Sequence, residues 1–201
     1  MLSSAVSLAA RVRCFGCRAS GGWLCRRCRD ALLPPSNHGP IPGVDDLHIP
    51  WSYEGAARDL VLACKLRSCR PAAAVLAVAV ATRIQTTGTS ADVITWVPGR
   101  RRDIRLRGFD HAELIARELG IRTGIPASCL LERAMDRPDQ TTLSGHDRWS
   151  NLVGAFRVVD APSRVLLVDD LVTTGATAAS CAGALRSAGS GRVEMAAPCR
   201  V

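Results

Sequence analysis

Lysine is almost missing from this chain: Lys65 stands alone beside twenty-five arginines. Such a skew reflects genome composition at least as much as ligand, so the basic balance is a weak guide to partners. Aromatic residues are only 4% of the 201 positions, too few for a base-stacking platform. With four histidines and no Ser-His-Asp order, the sequence also argues against hydrolases built on a histidine-activated nucleophile. The phosphate-loop pattern G-x-x-x-x-G-K-[ST] is absent. No apolar run is long enough to cross a bilayer. The longest, AAAVLAVAVA at Ala72 to Ala81, falls short of the roughly 20 residues required and sits between Arg70 and Arg83, so it reads as a buried helix. The opening MLSSAVSLAARVR places its positive charges after its apolar run and closes on no cleavage pattern. It reads as a helical turn or two packed on the domain, in a cytoplasmic protein without membrane insertion.

What is present suffices for one α/β domain and a small appendage, since 47% of the residues are hydrophobic. The formal charge of +8 and a pI near 9.4 keep a polyanionic partner in view, either nucleic acid or a phosphorylated small molecule.

Nine cysteines in a chain read as cytosolic point to metal more than to disulfides. Cys14-Phe-Gly-Cys17 and Cys25-Arg-Arg-Cys28 are two C-x-x-C pairs with seven residues between them. Each pair can form one knuckle of a tetrahedral thiolate site, and together they complete a structural zinc ribbon. The segment is rich in Gly, Arg and Ser and cannot fold on buried apolar surface, whereas zinc supplies folding free energy directly. A redox pair or four free thiols are the competing readings. Cys64, Cys69, Cys129, Cys181 and Cys199 are expected as small core fillers. PPSNHGPIPG, Pro34 to Gly43, marks a linker, dividing a ribbon over 1–43 from a main domain over 44–201. His38 within it is expected as a solvated loop residue.

The main domain alternates strand and helix. Strands are expected over His48 to Tyr53, Val93 to Val97, Val165 to Val168 and Arg192 to Ala196, with weaker ones at Ser128 to Glu132 and Ala155 to Val159. Helices are expected over Gly55 to Leu66, Pro71 to Gln85, Phe109 to Leu119 and Gly175 to Ser187, with a basic loop after VITWV. That order predicts a parallel sheet covered by helices on both faces.

One stretch carries the chemistry. In VLLVDDLVTTGAT, Val165 to Thr177, a buried-type strand ends in two adjacent carboxylates, Asp169 and Asp170. Parallel α/β sheets bind ligands beyond the carboxyl ends of their strands. Thr173, Thr174, Gly175, Ala176 and Thr177 then open a helix, offering backbone N–H groups, hydroxyls and a helix dipole to an anion such as phosphate. Acids ahead of a phosphate cradle suit a sugar phosphate; a bare Mg²⁺ site of the phosphatase kind and a simple helix cap are the alternatives.

Across all thirteen positions this stretch resembles the phosphoribosyl pyrophosphate (PRPP) motif of type I phosphoribosyltransferases. The four-cysteine ribbon, YEG at Tyr53 to Gly55, RLRGFDHAELIARELG at Arg105 to Gly120 and DQTTLSGHDRWSNLVGAF at Asp139 to Phe156 resemble the ComF family, also described as ComFC or GntX-like. Where that family usually reads RGFNQ, this chain has Arg107-Gly108-Phe109-Asp110-His111, and Arg137 falls where the family tends to carry threonine. The resemblance implies a type I phosphoribosyltransferase-like fold, with Asp169 and Asp170 on the ribose hydroxyls as the catalytic acids. It implies Thr173 to Thr177 on the 5′-phosphate, and Pro98, Gly99, Arg100, Arg101 and Arg107 on the pyrophosphate. Mg²⁺ would accompany PRPP, and Arg133 to Asn151 would form a lid over the reacting carbon. Transfer to an unidentified acceptor is the function implied; the alternative is a non-catalytic, PRPP-binding factor for competence and DNA uptake that contacts single-stranded DNA. In either case Arg18, Arg26, Arg27 and Arg29 on the ribbon are candidates for the acceptor or nucleic-acid face, and a homodimer is expected from the family.

Overall fold

The computed structural model describes residues 12–36, 39–67, 69–134 and 154–201. The opening helical turns, His38, Arg137 and most of the expected lid lie outside these residues.

The centre is a parallel four-stranded sheet of order β1-β7-β6-β3, built from Asp46–His48 (β1), Val93–Trp96 (β3), Arg164–Val168 (β6) and Arg192–Ala196 (β7). Its register runs Asp46↔Glu194, Val165↔Val193 and Trp96↔Val168. Strand alternation sorts the side chains into two apolar layers. Ile94, Trp96, Leu166, Val168 and Ala196 face one layer, with helices α2 (Gly55–Arg67), α3 (Arg70–Thr87) and α5 (His111–Thr123). Val93, Val165, Leu167, Val193 and Met195 face the other, covered by α6 (Ala176–Ser187) and by Ile41 of the linker. Both faces are therefore buried, as near-continuous apolar strands demand.

Four expectations need correction. The strand over His48 to Tyr53 is two: Pro50 has no N–H to give a ladder, so the chain breaks there. β1 pairs with β7, while β2 (Trp51–Ser52) pairs with β8 (Cys199–Arg200). The basic loop after VITWV is largely a helix, α4 (Arg101–Arg107), with Asp103 in its first turn and arginines in its last, both favourable to the helix dipole. Gly108, at φ 80°, ends it in the left-handed conformation. The following helix starts at His111, two residues late, because the Asp110 side chain caps it by accepting from the Ala112 N–H. Finally, Cys129 is exposed, whereas Cys64, Cys181 and Cys199 are buried and Cys69 is half-buried.

The weak strands form an antiparallel pair, β4 (Leu131–Arg133) with β5 (Phe156–Val158), lying over the α6 layer. At the other end the ribbon is pressed onto the main core. Phe15 is buried among α2 residues and stacks on Trp23 at 5.5 Å. A Cβ on Gly16 would stand 2.8 Å from the Ala56 Cβ, so only glycine lets the knuckle sit this close to α2.

Candidate functional site

The sulfur atoms of Cys14, Cys17, Cys25 and Cys28 all lie within 4.8 Å of one another. The first knuckle is a tight turn closed by the Arg18 N–H donating to the Cys14 carbonyl, with Arg18 itself at φ 63°. The second opens helix α1 (Arg26–Asp30), where Cys25 and Cys28, three apart, share one side. The Cys25 N–H donates to Cys14 Sγ at 3.4 Å, the kind of bond that favours a thiolate. Although burial pushes the Cys14 thiol up, N–H groups of Cys25, Cys17 and Gly16 bring it down to about 6. Four thiols in this arrangement fit a tetrahedral ion such as zinc. Arg18, Arg26, Arg27 and Arg29 are on the same unit, with Arg26 and Arg29 near Asp30.

The second candidate lies at the carboxyl ends of β3 and β6. These strands are neighbours in register, and the Val97 N–H donates to the Val168 carbonyl at 2.9 Å. The loop after β3 therefore stands beside the acids after β6. Between them is a cleft of about 260 Å³ lined by Pro98, Gly99, Arg100, Arg107, Asp169, Asp170 and Thr177 among others. Of the residues anticipated from sequence, these share one cavity; Arg101 is exposed outside it, and Thr173 to Ala176 form the turn leading into α6 rather than lining the cleft.

Local chemistry explains the shape. Gly99 donates its N–H to Asp110 Oδ2 at 2.7 Å, and a Cβ there would stand 2.9 Å from that same oxygen. Only glycine permits the contact, so Asp110 fixes the loop while its Oδ1 accepts from the Ala112 N–H at 3.0 Å. Burial raises the Asp110 carboxyl despite those two donors. At the turn, Gly175 adopts φ 79° and packs on Ile41, whose Cγ1 would meet a Cβ at 3.0 Å. The Ala176 N–H donates to the Thr174 hydroxyl at 3.3 Å.

The acids are not equivalent. Burial and the adjacent Asp170 charge push Asp169 well above the usual carboxylate range. Asp170 is paired: Lys65 Nζ is 3.0 Å from its Oδ1, and His111 Nδ1 is 3.5 Å from its Oδ2. Burial lowers Lys65, but the Asp170 carboxylate outweighs it and raises the ammonium above its ordinary value. Burial depresses His111, against the pull of Asp170. Beneath the pair, burial and Asp170 hold the Cys64 and Cys199 thiols up at about 12, so they stay protonated. An anion entering the cleft meets Lys65, Arg100, Arg107 and Arg133 on its walls.

No family model matches the chain. It is similar to Competence protein F. That protein, from Haemophilus influenzae (strain ATCC 51907 / DSM 11121 / KW20 / Rd), is 32% identical over 95 residues, 44% of this chain and 42% of its own length. Among solved structures, TT1426 from Thermus thermophilus aligns at 20% identity and a TM-score of 0.37, covering 65% of this chain and 73% of its own. Adenine phosphoribosyltransferase from Leishmania tarentolae aligns at 16% identity and a TM-score of 0.37, covering 66% of this chain and 58% of its own. The fold described above stands on this chain's own strand order and register.

Lys65 and Asp103 are cleft residues that the sequence motifs do not mark, and Arg133, where the expected lid begins, lines the cleft as well. Lys65 alone carried a signal: it is the single lysine where every other side-chain cation of fixed charge is arginine. Arg133 donates to the Pro98 carbonyl at 3.2 Å and lies over the Phe156 ring, contacts made between segments far apart in sequence.

Proposed function

We propose that this chain is a PRPP-binding, phosphoribosyltransferase-like protein of the ComF family that transfers phosphoribosyl from PRPP to an acceptor with release of pyrophosphate. The observation that supports this best is the single cleft joining the acid pair, Thr177 and the Pro98-Gly99-Arg100 loop at adjacent strand ends. The acceptor atom bonds to C1 of the ribose as the C1–O bond to pyrophosphate breaks, and the acceptor's proton leaves to solvent. That path develops positive charge on the ring and negative charge on the departing group. Carboxylates beside the ring and Arg100 and Arg107 beside the leaving group match this polarity, and no protein nucleophile is required. The loop from Thr173 to Thr177 at the start of α6 is the proposed seat of the 5′-phosphate.

The donor set also bears on Mg²⁺. Both oxygens of Asp170 already face Lys65 and His111, so the two acids do not form a bare metal site. The residues fit an ion that arrives on the pyrophosphate, where it would offset the charge of the leaving group.

A second reading draws on the arginines of the ribbon together with the name of the similar Haemophilus protein: a competence factor that contacts single-stranded DNA, with the cleft as its control site. Phosphate neutralisation by arginine suffices for such binding and makes it strongly salt-dependent.

Calorimetric titration of PRPP into the zinc-loaded protein with Mg²⁺, alongside the double variant Asp169→Asn/Asp170→Asn, tests the first reading. Heat of binding in the intact protein that vanishes in the variant is the expected result. No binding by the intact protein rejects it and turns attention to DNA.

A further inference from the structure

Two carboxylates next to each other in sequence, at the closed end of a strand, repel. The molecule meets this with an asymmetric set of contacts. Lys65 reaches over from α2 to within 3.0 Å of Asp170 Oδ1. On the other side, Arg107 Nη1 lies 3.0 Å from His111 Nε2. A guanidinium only donates, so that nitrogen is the acceptor and the ring proton sits on Nδ1, facing Asp170 Oδ2 at 3.5 Å. Lys65, Asp170, His111 and Arg107 thus form one chain of contacts across the cleft wall. Asp169 accepts from the Asp170 N–H at 2.8 Å and sits next to this chain, within range of the Lys65 charge but without a salt bridge to it.

We propose that Lys65 is a positioning residue: its contact fixes the Asp170 side chain where it aligns His111 and Arg107, leaving Asp169 as the acid that meets the sugar hydroxyls. The inference rests on the PRPP reading for its ligand, and it divides between two residues a task the motif would give to both equally. Residue type supports it. An ammonium is a compact point charge that can press against one carboxylate oxygen, while the planar fork of arginine favours two-oxygen pairing, and the second oxygen here belongs to His111. Asp110 and His111, the two departures from RGFNQ, both find their use: the first caps α5 and fixes Gly99, the second couples Asp170 to Arg107.

The single lysine makes the test direct. Acylation with an amine-reactive reagent, read by mass spectrometry on the peptide containing residue 65, reports Lys65 apart from the terminal amine. Lys65 in the intact protein is expected to react slowly, Asp170→Asn to speed it about tenfold, and Asp169→Asn, whose charge acts on Lys65 only at longer range, to speed it far less. In parallel, PRPP titration with Mg²⁺ is expected to weaken about tenfold or more in Lys65→Met, with a cooperative melting transition kept and Lys65→Arg recovering part of the loss. Equal acylation rates in the two aspartate variants, or PRPP bound as tightly by Lys65→Met as by the intact chain, overturns the proposal while leaving the PRPP reading in place. If the intact protein binds no PRPP, the functional reading falls, and the acylation rates still decide whether Lys65 locks Asp170.

Discussion

Two acid clusters three residues apart in the strand register obey opposite rules. Glu194, level with Leu166 in the sheet, is buried and ringed by donors: Thr89 Oγ1 at 2.6 Å, Ser90 N–H and hydroxyl at 3.1 and 2.8 Å, His48 Nε2 at 2.9 Å and Arg192 Nε at 3.1 Å. Burial works to raise it, yet these donors hold its carboxyl down at about 2. Asp169, at the end of β6, has one backbone donor among the described residues and a charged neighbour, and it is pushed well above the usual range. The same residue chemistry is sealed in one place and left wanting in the other. A carboxylate whose donors come from the protein holds the fold together; one with few donors of its own is poised for a ligand that brings hydroxyls.

The largest effect expected from this comparison is at the sealed site. Glu194→Gln keeps the shape but removes the charge facing Arg192 and His48, and turns an amide donor toward groups that already donate. Leaving buried donors without an acceptor in this way costs about 2 kcal/mol, or roughly 4–8 °C of melting temperature for a chain of this size. Thermal unfolding followed by circular dichroism checks it, and an unchanged midpoint would mean that the ring of donors is decorative.

Acidity separates the two sites next. Because Glu194 titrates at about 2 in the fold against 4.5 ordinarily, its stabilisation is fully present above pH 4.5 and disappears as pH falls from there toward 2. For Asp169 the sign reverses: its raised titration means that the fold opposes ionisation, so stability is lost as pH rises above the ordinary value of 3.8. Urea unfolding across this range should show Glu194→Gln flattening the acid limb and Asp169→Asn flattening the rise in cost above it. Parallel profiles for both variants would break the contrast.

A smaller and opposite change belongs to the open site. Asp169→Asn removes a carboxyl whose ionisation the fold opposes and is expected to stabilise the ligand-free protein by about 1 kcal/mol while abolishing PRPP binding. Paired melting and titration measure both. A variant that loses stability along with binding would place Asp169 with Glu194 as a structural acid.

How much of this is legible in the sequence differs in the same way. The strand ending in Asp169-Asp170 and the turn at Gly175 are local patterns, and the register delivers them to the strand end as the alternation of apolar residues requires. The cysteine spacing is equally readable, since ligands three apart must share a side of a turn. The pairing of Lys65 is not, even though the lysine itself stands out, because its partner Asp170 is remote in the chain and only α2 packing on the sheet brings them together. Glu194 is hidden for the same reason: its donors come from the turn after α3 and from β1. The α4 helix escapes a reading of basicity alone, because its signal is the order of its charges, an acid early and arginines late.

The smallest effect sharpens the comparison at its midpoint. Asp110 is nearly buried, like Glu194, but among the described residues its hydrogen-bond donors are backbone N–H groups, and burial raises it. Asp110→Asn keeps the shape while leaving one oxygen for two donors, the Gly99 and Ala112 N–H groups. One hydrogen bond is lost, worth about 1 kcal/mol, and the relief of a buried charge offsets part of it. The variant should therefore melt only slightly below the intact chain near neutral pH. The deficit should narrow as pH rises from the ordinary value of 3.8 through the raised titration, because only the carboxyl bears the cost of ionising in place. A deficit as large as that of Glu194→Gln would show that the number of donors, rather than their charge, decides whether a buried acid in this fold is held or strained.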